Sequence, residues 1–241
     1  MCIRDRGGGT QLTLGGQGSG AVAGSLAVAN LIKNGAGNWT IAAPVTSSGS
    51  VMVSGGSLVV LPSAVWSSQP NVRFGNSGVF EQVAAGSGSS VSYGSLSFLA
   101  GSGAVKSTYG GGGSASLTFG TFTGRSVGAT GNFVINGGSN GVNNAIILTN
   151  QPPGVIDPGV FFNGTSIAYM DSAGFVRAGV YGSDSGLVSG TGGSGTLGVA
   201  ASSSSHVLLS GSASSLTGST NFTSLNIAGP GTINVSIAGS L

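Results

Sequence analysis

Apolar and polar residues alternate along most of this chain in short segments of period two. Such alternation is typical of β-strands that bury one face and expose the other. No stretch has a convincing apolar stripe of helical period, and glycine at the density found here costs a helix about 1 kcal/mol per residue. The pattern therefore predicts an all-β fold, with strands such as Leu12-Thr13-Leu14, Val51-Met52-Val53, Leu96-Ser97-Phe98 and Leu117-Thr118-Phe119.

The spacing of these strands favours a solenoid. Strands of three to six residues are joined by very short glycine-rich breaks, which predicts a right-handed parallel β-helix whose coils repeat about every 20 residues, or roughly ten coils. A pair of β-sandwiches is the alternative. In a parallel β-helix each strand pairs with the same strand one coil later, so asparagines are expected at corners or in ladders. The candidates are Asn76, Asn132, Asn136, Asn140, Asn143 and Asn150.

Residues 151–184 interrupt the repetition. They contain three of the five acidic residues and three of the seven prolines, and proline interrupts strand pairing. This stretch is predicted to be an irregular hairpin or atypical coil. Residues 1–6, MCIRDR, contain the only cysteine and are interpreted as a non-native or disordered leader. The predicted organisation is thus a leader at 1–6, solenoid coils at 7–150, an irregular insert at 151–185, and continuing coils at 186–241.

The composition narrows the class of partner. Charged residues are 5% of the chain, against about 25% in an ordinary domain. The apolar share is 39% and the mean hydropathy +0.37, which favours a folded chain over a disordered glycine-serine linker. The seven basic residues are scattered, so no nucleic-acid partner is predicted. No apolar run approaches 18 residues, so no membrane span is predicted in this fragment.

Two short segments carry a family resemblance. Residues 8–16, GGTQLTLGG, and residues 116–124, SLTFGTFTG, each place a strand with Leu-Thr and a following apolar residue beside glycine. They resemble the autotransporter-associated β-strand repeat of bacterial surface proteins, although Gly120 stands where that repeat usually has asparagine. The stretch around Asp171, with Val176-Arg177, is similar to a segment common in large proteins of this type.

The resemblance implies an internal fragment of a large passenger-like protein, secreted or associated with the bacterial cell surface or outer membrane. Further coils of the same parent chain are then expected to follow Leu241.

The leading hypothesis for function is a structural or adhesive segment of such a protein, with no catalysis, no cofactor and no metal. A carbohydrate-binding β-helix module is the alternative, and a polysaccharide-active enzyme is a less favoured one. Aromatic rings among few charges suit carbohydrate faces, so Trp66, Tyr169 and Tyr181 are the candidate glycan-stacking residues. Surface glycans or other cell-surface components are the corresponding candidate partners.

The acidic residues offer little chemistry. Glycoside hydrolysis usually needs two carboxylates that flank the bond, and Asp157 and Asp171 are near enough in sequence to converge. Only Arg177, however, is a basic residue close to them in sequence. Asp171 is interpreted instead as a turn cap that pairs with Arg177 across a hairpin, an ion pair worth under about 1 kcal/mol. The lone histidine, His206, is expected to face solvent or a strand edge.

Overall fold

The computed structural model describes residues 11–191, 204–210, 215–216, 222–228 and 234–235. Within these ranges every regular element is a β-strand, and the parallel sheets stack as a β-solenoid of about nine turns. This confirms the prediction of an all-β solenoid over the alternative of two sandwiches. The chain divides into two compact units, residues 1–178 and 179–241.

The strands are short, and most are three to seven residues long. In the first unit, β1 to β19 are Gln11–Leu14, Gly20–Val22, Leu26–Val28, Asn30–Lys33, Asn38–Ile41, Val45–Ser47, Ser50–Val53, Ser57–Val60, Asn71–Phe74, Gly78–Val83, Ser89–Phe98, Ser102–Thr108, Ala115–Arg125, Thr130–Asn136, Asn144–Leu148, Gly154–Val155, Val160–Phe162, Ser166–Met170 and Val176–Ala178. In the second unit, β20 to β24 are Leu187–Thr191, His206–Ser210, Ser215–Leu216, Ser224–Ala228 and Asn234–Val235.

The coils of the first unit have three faces. The first face contains β1, β4, β7 and β9, and the second contains β2, β5, β8, β10, β12, β14 and β17. The third face begins with β3 and β6, continues through a bridge from Val45 to Trp66, and ends with β15. The long strand β11 pairs with β9 through Leu96–Phe98, and β13 pairs with β15 through Ala115–Phe119. The first part of each of these two strands therefore lies on the third face, and its last part lies on the first face of the following coil.

The coils lengthen along the first unit. Leu12 pairs with Leu31, 19 positions later, whereas Leu117 pairs with Ile146, 29 positions later. The expected repeat of about 20 residues therefore holds only for the early coils. Leucine and valine occupy many core positions of the early coils. The longer coils enclose a wider core, which needs more side-chain volume to reach normal packing density, and fully buried aromatic side chains supply that volume. These aromatic residues are Phe74, Phe80, Tyr93, Phe98, Phe119 and Phe133.

Asparagine side chains join successive coils at the corner before the first face. The Oδ1 atom of Asn30 accepts the backbone N–H of Ser50 at 2.9 Å, and Oδ1 of Asn71 accepts that of Ser95 at 2.7 Å. These two asparagines were not among the predicted corner residues. Of those that were, Asn132, Asn136 and Asn150 also bond a neighbouring coil, through Gly164, Thr108 and Gly120 respectively.

The irregular segment near residue 151 is an antiparallel meander. Strand β18 pairs antiparallel with β16, β17 and β19, while β17 keeps a parallel pairing with β14. The meander ends at Ala178 and belongs to the first unit. In the second unit, β20, β21 and β23 form a parallel sheet in which Leu187 pairs with His206 and His206 with Ser224.

Candidate functional site

Every carboxylate described in the first unit contacts a cationic side chain. Glu81 and Lys106 are register partners on β10 and β12, and their charged atoms are 3.1 Å apart. The hydroxyl of Thr108 also donates to Glu81 at 2.6 Å. Asp157 bonds Arg125, and Asp171 bonds Arg177. These carboxylates thus each lie in a local ion pair.

Asp157 and Asp171 bond different arginines. The Nε atom of Arg125 donates to Oδ1 of Asp157, which also accepts the backbone N–H of Gly159 at 2.8 Å. Arg177 is the basic residue close to these acids in sequence, but the cation that bonds Asp157 is Arg125. Arg125 lies 32 positions earlier in the sequence, about one coil of the longer kind, so only knowledge of the coil length could have located it.

Asp171 and Arg177 meet across the β18–β19 hairpin. Nε of Arg177 donates to Oδ2 of Asp171 at 2.6 Å, and Oδ1 of Asp171 accepts the backbone N–H of Ala173 at 2.8 Å, so the aspartate also caps the turn. The Arg177 guanidinium carbon lies 4.7 Å from the centre of the Tyr169 ring. Tyr169 is 7% exposed, so it is a packing partner of Arg177 and offers little ring surface for a sugar.

Tyr181 and His206 belong to the second unit. Tyr181 is half-buried, and burial raises the pKa of its hydroxyl. His206 is buried on β21, and its Nδ1 lies 2.7 Å from the Oγ of Ser224, its register partner on β23. The expectation of a histidine facing solvent or a strand edge was wrong, because His206 is 5% exposed and stands between its register partners Leu187 and Ser224 on the strands to either side.

A cleft opens on the third face of the first unit. Its volume is about 650 Å³, within the range of about 300–1,000 Å³ typical of ligand sites. None of its lining residues is charged. One wall comprises residues 62–69, which follow β8 and include Trp66; the other comprises residues 89–92 at the start of β11, with Gln82 of β10 between them. We call this the Trp66 cleft.

Aromatic and amide side chains close the base of the Trp66 cleft. The rings of Trp66 and Tyr93 contact edge to face, with centroids 5.9 Å apart. The Tyr93 hydroxyl donates to Oε1 of Gln82 at 2.8 Å, and Tyr93 is fully buried, which raises its pKa. The indole Nε1 of Trp66 is buried near the Tyr93 hydroxyl but makes no hydrogen bond of normal geometry within the part of the chain that the structure describes. Trp66, one of the three candidate glycan-stacking residues, thus lines a cleft.

A lysine is fully buried in the core of the early coils. Lys33 occupies the register position of Leu14 and Val53 on the first face. Its Nζ donates to the carbonyl oxygens of Asn34, Gly35 and Gly55 at 2.7–2.9 Å. Burial lowers the pKa of Lys33 because the charged form loses its hydration. This site was not predicted, because a single lysine in an alternating strand does not reveal that its side chain lies on the buried face of the strand.

Comparison with known proteins identifies no family for this chain, because no family model, curated protein or solved structure matches it. Among the described residues, no group of three or more histidine, cysteine or acidic side chains could hold a metal ion. The same residues contain no helix with the length and hydropathy to cross a bilayer.

Proposed function

We propose that this chain is a structural and adhesive segment of a secreted bacterial cell-surface repeat protein, with no catalytic role. The observation that carries the proposal is the continuous parallel pairing of coil upon coil in the first unit, from β1 to β17. Each coil contacts chiefly its neighbours, as in other solenoids, so that added coils extend reach. The resemblance of residues 8–16 and 116–124 to the autotransporter-associated repeat supports the cell-surface location.

The contacts of the acidic residues also favour a structural role. Glu81 and Asp171 each bond both a cationic side chain and a second donor in the fold, and Asp157 does the same. A glycosidase instead needs two carboxylates that face one sugar bond from opposite sides. Ion pairs of this kind hold coils and turns in register.

The location and role are tested in cells that express the parent gene. An antibody raised against residues 11–178 should label intact cells, and brief treatment with an external protease should remove the label. An in-frame deletion of residues 11–178 should reduce attachment of the cells to surfaces without affecting growth. Labelling that appears only after permeabilisation would contradict the proposed location. If the wild-type segment is surface-exposed but its deletion leaves attachment unchanged, the proposed role is contradicted.

A further inference from the structure

The Trp66 cleft separates two consecutive coils that remain paired on their other faces. Strand β7 pairs with β9 on the first face, and β8 pairs with β10 on the second face. On the third face, the wall that contains Trp66 has no strand pairing with the start of β11 among the described residues. The two coils rejoin at the corner, where the N–H of Gly94 donates to the carbonyl of Pro70 at 3.1 Å.

Trp66 directs its backbone hydrogen-bonding groups into this cleft. In the bridge to the preceding coil, Val45 donates to the carbonyl of Val65 and accepts from the N–H of Ser67. The C=O of Val65 and the N–H of Ser67, on either side of Trp66, therefore point toward the preceding coil. In a parallel ladder the N–H and C=O of the residue between them, Trp66, point to the opposite side, away from that coil. That side is the cleft.

Ser90 and Ser92 direct their backbone groups into the cleft from the other wall. The N–H of Ser89 donates to Ser114 in the next coil, and that of Gly94 donates to Pro70 in the preceding coil. Because successive residues of a strand direct their N–H groups to alternate sides, Ser90 and Ser92 face the preceding coil, as Gly94 does. Within residues 11–191, no backbone carbonyl outside the strand ladders accepts from either of them.

We propose that the Trp66 cleft binds an extended, uncharged peptide strand, which completes the third face by main-chain hydrogen bonds to Trp66, Ser90 and Ser92. An unpaired strand edge is a template for another strand, and recognition by strand addition takes its affinity from main-chain bonds. Here two such edges, one at Trp66 and one at Ser90 and Ser92, line one cleft, and their chains run in the same direction. The uncharged lining disfavours a charged segment, because a desolvated charge would have no partner.

The side chains that line the cleft define which strand fits. Trp66 and Val91 pack against the core beneath it, and the contact between the Trp66 and Tyr93 rings closes its base. Alternate residues of the bound strand would therefore need small apolar side chains on the inner side. On the outer side Ser90 is exposed to solvent, so serine or threonine would be accepted there.

The test is panning of a phage-displayed library of random heptapeptides on the purified full chain. Enriched peptides should be uncharged and should compete with one another. Their binding should fall about tenfold or more with Ser92→Pro, which removes one main-chain donor that faces the cleft, and should stay within about twofold of wild type with Ser92→Ala. Proline is tolerated at strand edges whose N–H faces outward, and circular dichroism establishes whether the Ser92→Pro chain is folded.

A second measurement does not need the proline variant. Hydrogen exchange of the wild-type chain should show the amides of Ser90 and Ser92 exchanging fast and becoming protected when an enriched peptide is added, while the amide of Val91 is protected throughout. No enrichment of peptides, or enrichment without protection at Ser90 and Ser92, would overturn the proposal. So would binding on an array of neutral glycans that Ser92→Ala and Ser92→Pro weaken equally, because both variants lack the hydroxyl and only the second lacks the N–H; that result would assign the cleft to a carbohydrate. None of these outcomes depends on the cellular location of the protein.

Discussion

Gly131 lies against the ring of Phe98, so that a Cβ atom on this glycine would stand 2.7 Å from Cδ2 of the phenylalanine. Gly131 pairs with Gly103 of the preceding coil, which in turn pairs with Gly78. An added Cβ on Gly103 would likewise stand 2.5 Å from Cγ of Phe74 and 2.7 Å from Cδ1 of Phe98, whereas one on Gly78 would meet Val53. Gly103 and Gly131 on the second face thus give the stacked rings of Phe74 and Phe98, 5.1 Å apart, the space they occupy.

Gly131→Ala should therefore destabilise the first unit. Phe98 is fully buried, and overpacking of a dense core typically costs about 1–3 kcal/mol. Thermal or urea unfolding followed by circular dichroism measures the effect. The matched control is Gly24→Ala, because a Cβ there meets no atom within 4 Å. The double variant Gly131→Ala with Phe98→Leu should lose less stability than the two single changes combined, since the smaller side chain relieves the clash. Equal stability of the two glycine variants would refute this account.

Asn71→Ala should cost about 0.5–1.5 kcal/mol, the usual net contribution of one hydrogen bond. The reason is that the backbone N–H of Ser95, which donates to Oδ1 of Asn71 at 2.7 Å, loses its acceptor. Unfolding experiments check the value, with the exposed Asn38→Ala as control. A loss no larger than that of the control would show that the corner is held by strand pairing alone.

The sequence was enough to predict the fold class, because alternation and glycine-rich breaks are local properties that a solenoid expresses in every coil. It was not enough to predict contacts such as Arg125 with Asp157, or Asn71 with Ser95. Each of these joins residues one coil apart, and the coil length itself changes from 19 to 29 residues. An error of a few residues in coil length moves every predicted neighbour to another strand position. The pair Asp171 and Arg177 could be named in advance because it lies within one hairpin.

Lys33→Met should abolish a pH dependence of stability in the alkaline range. Because burial lowers the pKa of Lys33 in the folded chain, the unfolded chain, with a lysine pKa of about 10.4, binds more protons between these two values. Wild-type stability therefore rises with pH across that window. The methionine variant lacks this rise.

The same variant should also be less stable than wild type at neutral pH, because three buried carbonyl oxygens lose their donor. The measured quantity is the difference in free energy of unfolding between wild type and variant, from pH 7 to pH 10. This difference should widen as pH rises. The ionisation of Tyr93 above pH 10 in the unfolded chain affects both proteins equally and cancels. A constant difference would mean that the lysine titrates alike in both states.

Arg177→Ala should destabilise the β18–β19 hairpin more than Asp171→Asn. Both changes remove the ion pair, which is part-exposed and worth under about 1 kcal/mol. Only the arginine change also removes the cation from the face of Tyr169, an interaction of about 0.5–1 kcal/mol, and the packing of its alkyl chain. Hydrogen exchange of residues 166–178 reports the local loss. Equal effects of the two variants would assign the whole contribution to the ion pair.

The growth of the coils gives each of them a fixed place in the order. The coil that joins Leu12 to Leu31 is ten residues shorter than the one that joins Leu117 to Ile146, and fully buried phenylalanine side chains such as Phe119 lie in the later coils. A coil transplanted from one end of this stack to the other would leave part of its new neighbour without a partner. The segment is thus graded, with a built-in direction, and its modules are not interchangeable although its sequence is repetitive.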